Sequence, residues 1–251
     1  MIANERYLKI LNFLDAKQSV TISELVNLLN ISESTVRRDL ATLDKEKKLI
    51  KVHGGAISNK NSHIIQEESL EYKRFINQDE KKIIAQRASS LIKPKDFVYI
   101  DAGTTTYEMI NFINEKSATY LTNSIPIAQS LISKNLNTII LGGKIKCNTQ
   151  AIIGSFAKEY LQNFNFTIGF FGSNGVSLQN GYTTPDIEEA IIKKIAMEKS
   201  DKSFVLCDSS KFNLVSSITF ASLKEAFIIT TKIKDIQLLE KLKEHTKILE
   251  V

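Results

Sequence analysis

Residues 31–40 read "ISESTVRRDL". Ser32 is placed to cap a helix by accepting backbone N–H bonds. Val36, Leu40 and Leu43 recur at steps of four and three and make one buried stripe. Ser34, Thr35, Arg37 and Arg38 are left facing outward, beside Glu33 and Asp39. Such a stretch is either an ordinary capped surface helix or a helix built to lie in a groove of DNA, and its surroundings decide between the two. Upstream, Tyr7, Ile10, Leu11 and Leu14 fall at helical spacing, residues 17–19 make a polar break, and Val20 and Ile22 point back to the core. Residues 23–29 predict a second helix with Leu25, Leu28 and Leu29 on one face, ended by Asn30 in the left-handed conformation. Downstream, "LIKVHGGAI" (49–57) changes period: Ile50 and Val52 alternate with Lys51 and His53, and Gly54 and Gly55 permit a turn. Helix, turn and capped helix, preceded by another helix and followed by a glycine hairpin, describe a winged helix-turn-helix over 1–57. In that frame Ser32, Ser34, Thr35, Arg37 and Arg38 reach base edges and phosphates, and Lys48, Lys51 and His53 lie where a wing meets the DNA backbone.

The bulk numbers agree with a DNA reader without requiring one. The chain has 251 residues, 43% hydrophobic and 24% charged, and a net charge of +5, compatible with a polyanionic partner. Cys147 and Cys207 are too few for a disulfide scaffold and lack metal-site spacing, which points to a reducing compartment. The start, "MIANERYLKI", is no secretory signal, and no apolar run approaches the ~18 residues of a membrane span. A cytoplasmic protein without membrane attachment is expected.

Residues 58–76 begin polar and aperiodic and read as a linker whose second half has helical character. From 77 to 251 helices alternate with short apolar strands: "DFVYID", "ATYLTN", "NTIILGG", "FTIGFFG", "KSFVLCD" and "EAFIITT". Near-continuous apolar strands alternating with helices predict a parallel sheet covered on both faces, an α/β domain. Polar groups collect where the strands end. "DAGTTT" (101–106) opens a helix, with Gly103 allowing close backbone approach and Thr104, Thr105 and Thr106 offering hydroxyls beside free N–H groups. That is a phosphate cradle, or equally a hydroxyl-capped turn. Lys144 in "GGK" serves an anion or the surface; Lys211 in "DSSKF" follows a strand and two serines, an arrangement suited to phosphate. Asp186 caps the next helix or joins the site, and Glu188 and Glu189 favour its first turn or bind sugar hydroxyls.

Both halves resemble the DeoR family of bacterial transcription regulators. "ISESTVRRDLATLDKEKKLIKVHGGA" (31–56) is similar to the family's N-terminal signature in its "TVRRDL" core and its "VHGGA" wing. "DAGTTT", "TNS", "LGGK", "YTTPD" and "DSSKF" recur in the order of the family's sensor domain. The resemblance implies a sensor similar in fold to ribose-5-phosphate isomerase that responds to phosphorylated sugars. It implies phosphate contacts on Gly103, Thr104, Thr105, Thr106 and Lys211, and sugar contacts near Asp101, Asn123, Lys144, Asn174 and Glu188 or Glu189. The rival is a sugar-phosphate isomerase with an accessory DNA-binding unit. Proton transfer at a sugar carbon needs a carboxylate base, and Phe171 and Asn174 stand where the isomerase motif carries two aspartates. A DNA-binding architectural protein with no ligand has no use for clustered polar strand ends. The expectation is therefore a regulator, most naturally a repressor of a sugar-uptake or sugar-catabolism operon, binding double-stranded operator DNA as a homodimer or homotetramer. No cofactor and no metal are called for. "LVSSITFASLKEAFIITT" (214–231) resembles fructose-type members, which makes fructose 1-phosphate the first candidate effector.

Overall fold

The computed structural model describes residues 3–17, 19–46, 48–52, 54–58, 63–64 and 70–251. The chain forms two compact units, Met1–Asn61 and Ser62–Val251.

The first unit runs α1 (Ala3–Lys17), β1 (Ser19–Thr21), α2 (Ile22–Leu29), α3 (Glu33–Lys45), β2 (Leu49–Val52) and β3 (Gly55–Ser58). Thr21 and Glu24 cap the start of α2 reciprocally, and Asn30 ends it at φ +50. Ser32 caps α3 by accepting the N–H of Thr35. The strands form an antiparallel sheet in the order β1-β3-β2, and Gly54, at φ +93, makes the wing turn. Ile10, Leu14, Leu25, Val36, Leu40 and Leu43 are all buried. Leu28, expected on the buried face, is 42% exposed: Ile22, Leu25 and Leu29 already fill the inward stripe of this eight-residue helix, and Leu28 falls on its flank. Asp39, which the sequence alone placed on a solvated face, is buried and grips Arg6 of α1 through two bonds, 2.7 and 3.0 Å long. This fork bolts the first helix to the third.

In the second unit come β4 (His63–Ile64), α4 (Leu70–Phe75), α5 (Gln78–Ser89), β5 (Phe97–Ile100), α6 (Thr104–Phe112), β6 (Thr119–Thr122), α7 (Ile125–Ser133) and β7 (Asn137–Ile140). Then follow β8 (Lys144–Lys146), β9 (Ala151–Ile153), α8 (Ser155–Leu161), β10 (Ile168–Gly172), β11 (Gly175–Ser177), β12 (Gly181–Thr184), α9 (Ile187–Glu198) and β13 (Ser203–Leu206). Last are β14 (Val215–Ser216), β15 (Ile218–Ala221), β16 (Phe227–Thr230), α10 (Ile236–Lys243) and β17 (Ile248–Glu250). Seven strands pair in parallel in the order β17-β16-β13-β10-β5-β6-β7. All six apolar stretches singled out in the sequence are in this sheet. Successive residues feed opposite cores: Val98, Ile100, Phe170 and Phe204 pack with α5, α6 and α7, while Tyr99, Phe171 and Val205 pack with α8, α9 and α10. Burying each such side chain contributes about 1.5–3 kcal/mol, which is why the strands read as unbroken apolar runs.

Within 58–76, read as a linker, β4 pairs with β14 and α4 forms a helix, both belonging to the second unit. Among the described residues no helix is long and apolar enough to cross a membrane.

Candidate functional site

On α3, Ser32, Ser34, Arg37 and Arg38 are exposed and Thr35 half-buried, so the expected outward face forms. Its hydroxyls are grouped: Ser32 Oγ lies 3.0 Å from Ser34 Oγ and 2.9 Å from Thr35 Oγ1. Arg37 donates to Glu33 one turn earlier, at 2.6 and 2.9 Å. Lys51 is exposed on the wing, and its N–H donates to Asp44 Oδ1 at 2.9 Å, fixing the wing to the end of α3. His53 lies outside the described residues. The arrangement is a projecting helix start with two guanidinium groups beside a short hairpin bearing a lysine.

In the second unit a pocket open to solvent lies at the C-terminal ends of the central strands β5, β10 and β13, where parallel sheets bind ligands. Its walls come from several segments, Thr149 between β8 and β9 among them. Gly103, Thr104 and Thr105 start α6; Ser173 and Asn174 follow β10; Asp208 and Lys211 follow β13. Glu189 and Lys193 reach in from α9, and Lys73, Ile76 and Lys81 from α4 and the start of α5. Gly103 is the N-cap of α6 and has no side chain to satisfy the first-turn N–H groups, which leaves that positive helix end to the pocket. Its φ of −166 is open to any residue, but a Cβ there would stand 3.0 Å from Thr106 Oγ1.

Not every expected residue is in the wall. Asp101 lies beneath it, 1% exposed, accepting the Gly172 N–H at 3.0 Å and paired with Lys193. Burial pushes the Asp101 carboxyl above its usual range, against the pull of Lys193 and the Gly172 N–H. Thr106 is fully buried and donates to the carbonyls of Asp101 and Gly103 at 2.7 and 3.0 Å. Asn123, 2% exposed, accepts the Ala102 N–H at 2.9 Å and holds the loop before α6 from below. Lys144 and Glu188 pair with each other at 3.2 Å on the surface, off the pocket wall, an interaction worth ~0–1 kcal/mol. Asp186 caps α9 by accepting the Glu189 N–H at 2.9 Å. Burial opposes its ionisation, but that N–H and Lys146 outweigh it and hold the carboxyl below its usual range. Asn174 does reach the wall, where its Oδ1 accepts from Thr184 at 3.2 Å. Glu189 also reaches it, accepting from Thr149 at 2.7 Å and from Lys146 at 3.1 Å. Phe171 is buried and stacks on Tyr99, with ring centroids 5.5 Å apart.

Lys193, Lys81, Lys73 and Asp208 were not singled out in the sequence. Lys193 carried a signal: on α9 it is four residues after Glu189 and three before Ala196, a charge on the buried face. Asp208 is 1% exposed and accepts from Asn77 at 2.8 Å and from Ser210 N–H and Oγ at 3.1 and 2.5 Å. Although burial opposes ionisation, Lys211, Ser210, Asn77 and Lys81 together hold its carboxyl below its usual range. Cys207, also in the wall, is buried, and its thiol is pushed well up by that burial.

Comparison with known proteins identifies the surroundings of both sites. Residues 6–62 match the DeoR-like helix-turn-helix domain, and residues 76–232 match the DeoR C terminal sensor domain. A Bacillus subtilis protein named "Uncharacterized HTH-type transcriptional regulator FruR" is 40% identical over 237 residues, 94% of each chain. A lactose phosphotransferase system repressor of Staphylococcus epidermidis is 35% identical over 251 residues, 98% of each chain. Among solved structures, ribose 5-phosphate isomerase A of Methanocaldococcus jannaschii matches 54% of this chain and 55% of its own, with 16% identity and a TM-score of 0.41. Matched from the first helix to past the Lys211 loop, the chain belongs to the DeoR family of helix-turn-helix transcription regulators.

Proposed function

We propose that this protein represses a sugar-uptake or sugar-catabolism operon and is released from DNA by a phosphorylated sugar, with fructose 1-phosphate the first candidate. The observation that carries the reading is the pocket: an uncapped helix start at Gly103–Thr105 facing Lys211 at the ends of parallel strands. Fixed N–H groups at a helix start together with an ammonium are the donors a phosphate needs, and Asn174 and Glu189 offer donors and acceptors to sugar hydroxyls. Relatives named FruR and lactose phosphotransferase system repressor support a sugar-linked role. On α3, Ser34, Thr35, Arg37 and Arg38 enter the major groove, with Lys51 and His53 on the neighbouring backbone. One recognition helix reads few base pairs, so the working form is a dimer or tetramer on repeated half-sites. The effector must bind a non-operator state more tightly than the DNA-bound one.

The test uses a DNA fragment selected from random sequence by the wild-type protein. Fructose 1-phosphate releases it from the wild type; the Lys211→Ala protein binds the same fragment and is not released. Equal release from both proteins overturns the assignment of Lys211. Conversion of ribose 5-phosphate to a ketose would replace this reading with the isomerase one.

A further inference from the structure

The segment entering the second unit is tied to the effector pocket at each of its described elements. β4 pairs in parallel with β14 (His63 with Val215, Ile64 with Ser216), and β14 begins four residues after Lys211. α4 carries Lys73, which joins Lys81 in the pocket wall. The Lys81 side chain is 4% exposed, and its Nζ donates to the main-chain carbonyl of Lys73. The facing loop is held to the start of α5: Glu80 accepts from Ser209 N–H and Oγ at 2.8 and 2.9 Å. α4 has only six residues. So short a helix is not stable by itself and depends on what it packs against.

We propose that Lys73 and Lys81 bind the anionic group of the effector, and that α4 is thereby the element that senses occupancy. This rests on the sugar-phosphate reading above. An ammonium has three donors, so Lys81 keeps the Lys73 carbonyl while turning a second N–H to the anion. The Lys73 ammonium takes a further oxygen of the same group. The anion then links the side chain of α4 to the helix that already holds its backbone, and α4 is clamped against the pocket. The clamped and unclamped arrangements of α4 are then two states of this segment of the second unit. That gives the ligand a state to discriminate.

Hydrogen–deuterium exchange on the full chain tests this, with fructose 1-phosphate, fructose 6-phosphate, ribose 5-phosphate and inorganic phosphate as probes and calorimetry to register binding. On saturation the amides of Leu70–Phe75 exchange about ten-fold more slowly, the scale of one hydrogen bond to a charged group. The Lys73→Met protein binds the same probe more weakly and its α4 does not respond, while Lys73→Arg restores the response. Binding to the wild type with unchanged exchange in α4, or an unaltered response in Lys73→Met, overturns this proposal and leaves the effector reading standing. Failure of all four probes to bind overturns both.

Discussion

α3 and α6 begin alike in sequence and are used in opposite ways. Each opens with a cluster of hydroxyl side chains, Ser32, Ser34 and Thr35 in one and Thr104, Thr105 and Thr106 in the other. In α3 a serine caps the helix and the hydroxyls bond chiefly to one another on an exposed face. In α6 the cap is a glycine, Thr105 and Thr106 are buried, and Thr106 is bonded downward to the Asp101 carbonyl, above the Asp101–Lys193 ion pair. A helix start rich in hydroxyls has donors to offer an anion, whether or not one binds there. Which side chains remain available to it is decided by what lies underneath.

The largest expected effect removes what lies under α6. Lys193→Met leaves the Asp101 carboxylate buried without its cation, and losing one partner of a buried pair costs about 3–5 kcal/mol. Urea unfolding at pH 7 measures it. The deficit shrinks as the pH is lowered, because burial already favours the protonated Asp101 and a neutral carboxyl needs no partner charge. A loss below about 1 kcal/mol would mean the pair is not part of the fold's foundation, and the contrast between the two helices would fail.

A smaller effect separates the hydroxyls themselves. Thr106→Val keeps the shape but strips a buried donor from two carbonyls, costing about 1–2 kcal/mol. Ser34→Ala, on the exposed face of α3, changes stability by no more than about 0.5 kcal/mol while lowering affinity for the selected DNA. Thermal or urea unfolding of both proteins, with DNA titration of the second, checks the pair. Equal stability losses would erase the distinction.

What the sequence made legible follows the same divide. Local chemistry was readable: the Ser32 cap, Asn30 at φ +50 and the Gly54 turn each follow from one residue's backbone or side-chain preference. The six apolar strands were readable because both sheet faces are buried. Partnerships across the fold were not. Asp39 is held by a residue 33 positions away and Asp101 by one 92 positions away, and no local pattern names such a partner. For the same reason Asn123 and Thr106 looked like ligand residues although the backbone consumes them. β17 is three residues long, beyond the last helix, and gave too short a pattern to count.

A third effect extends the comparison to two buried aspartates that follow strands of the one sheet. Asp101 is pushed up by burial, whereas Asp208 is held down by Lys211, Ser210, Asn77 and Lys81 despite equal exposure of 1%. The signs of their contributions therefore differ. The folded pKa of Asp208 lies below its usual 3.8, so its stabilisation is complete above that value and is lost as the pH falls through the folded value. Asp208→Asn keeps an acceptor for Asn77 and Ser210 but removes the charge. It costs about 1 kcal/mol at pH 7, and the gap to the wild type begins to close below about pH 4, where the carboxyl of the unfolded chain takes up its proton, and goes on closing as the folded carboxyl follows at lower pH. Asp101 runs the other way: with a raised pKa its burden on the fold grows as the pH rises through the folded value. Unfolding curves of the wild type and Asp208→Asn from pH 7 down to pH 3 distinguish the two cases. A gap that widens toward acid would mean Asp208 behaves like Asp101, and that the loop bearing Lys211 is not held in place by this carboxylate.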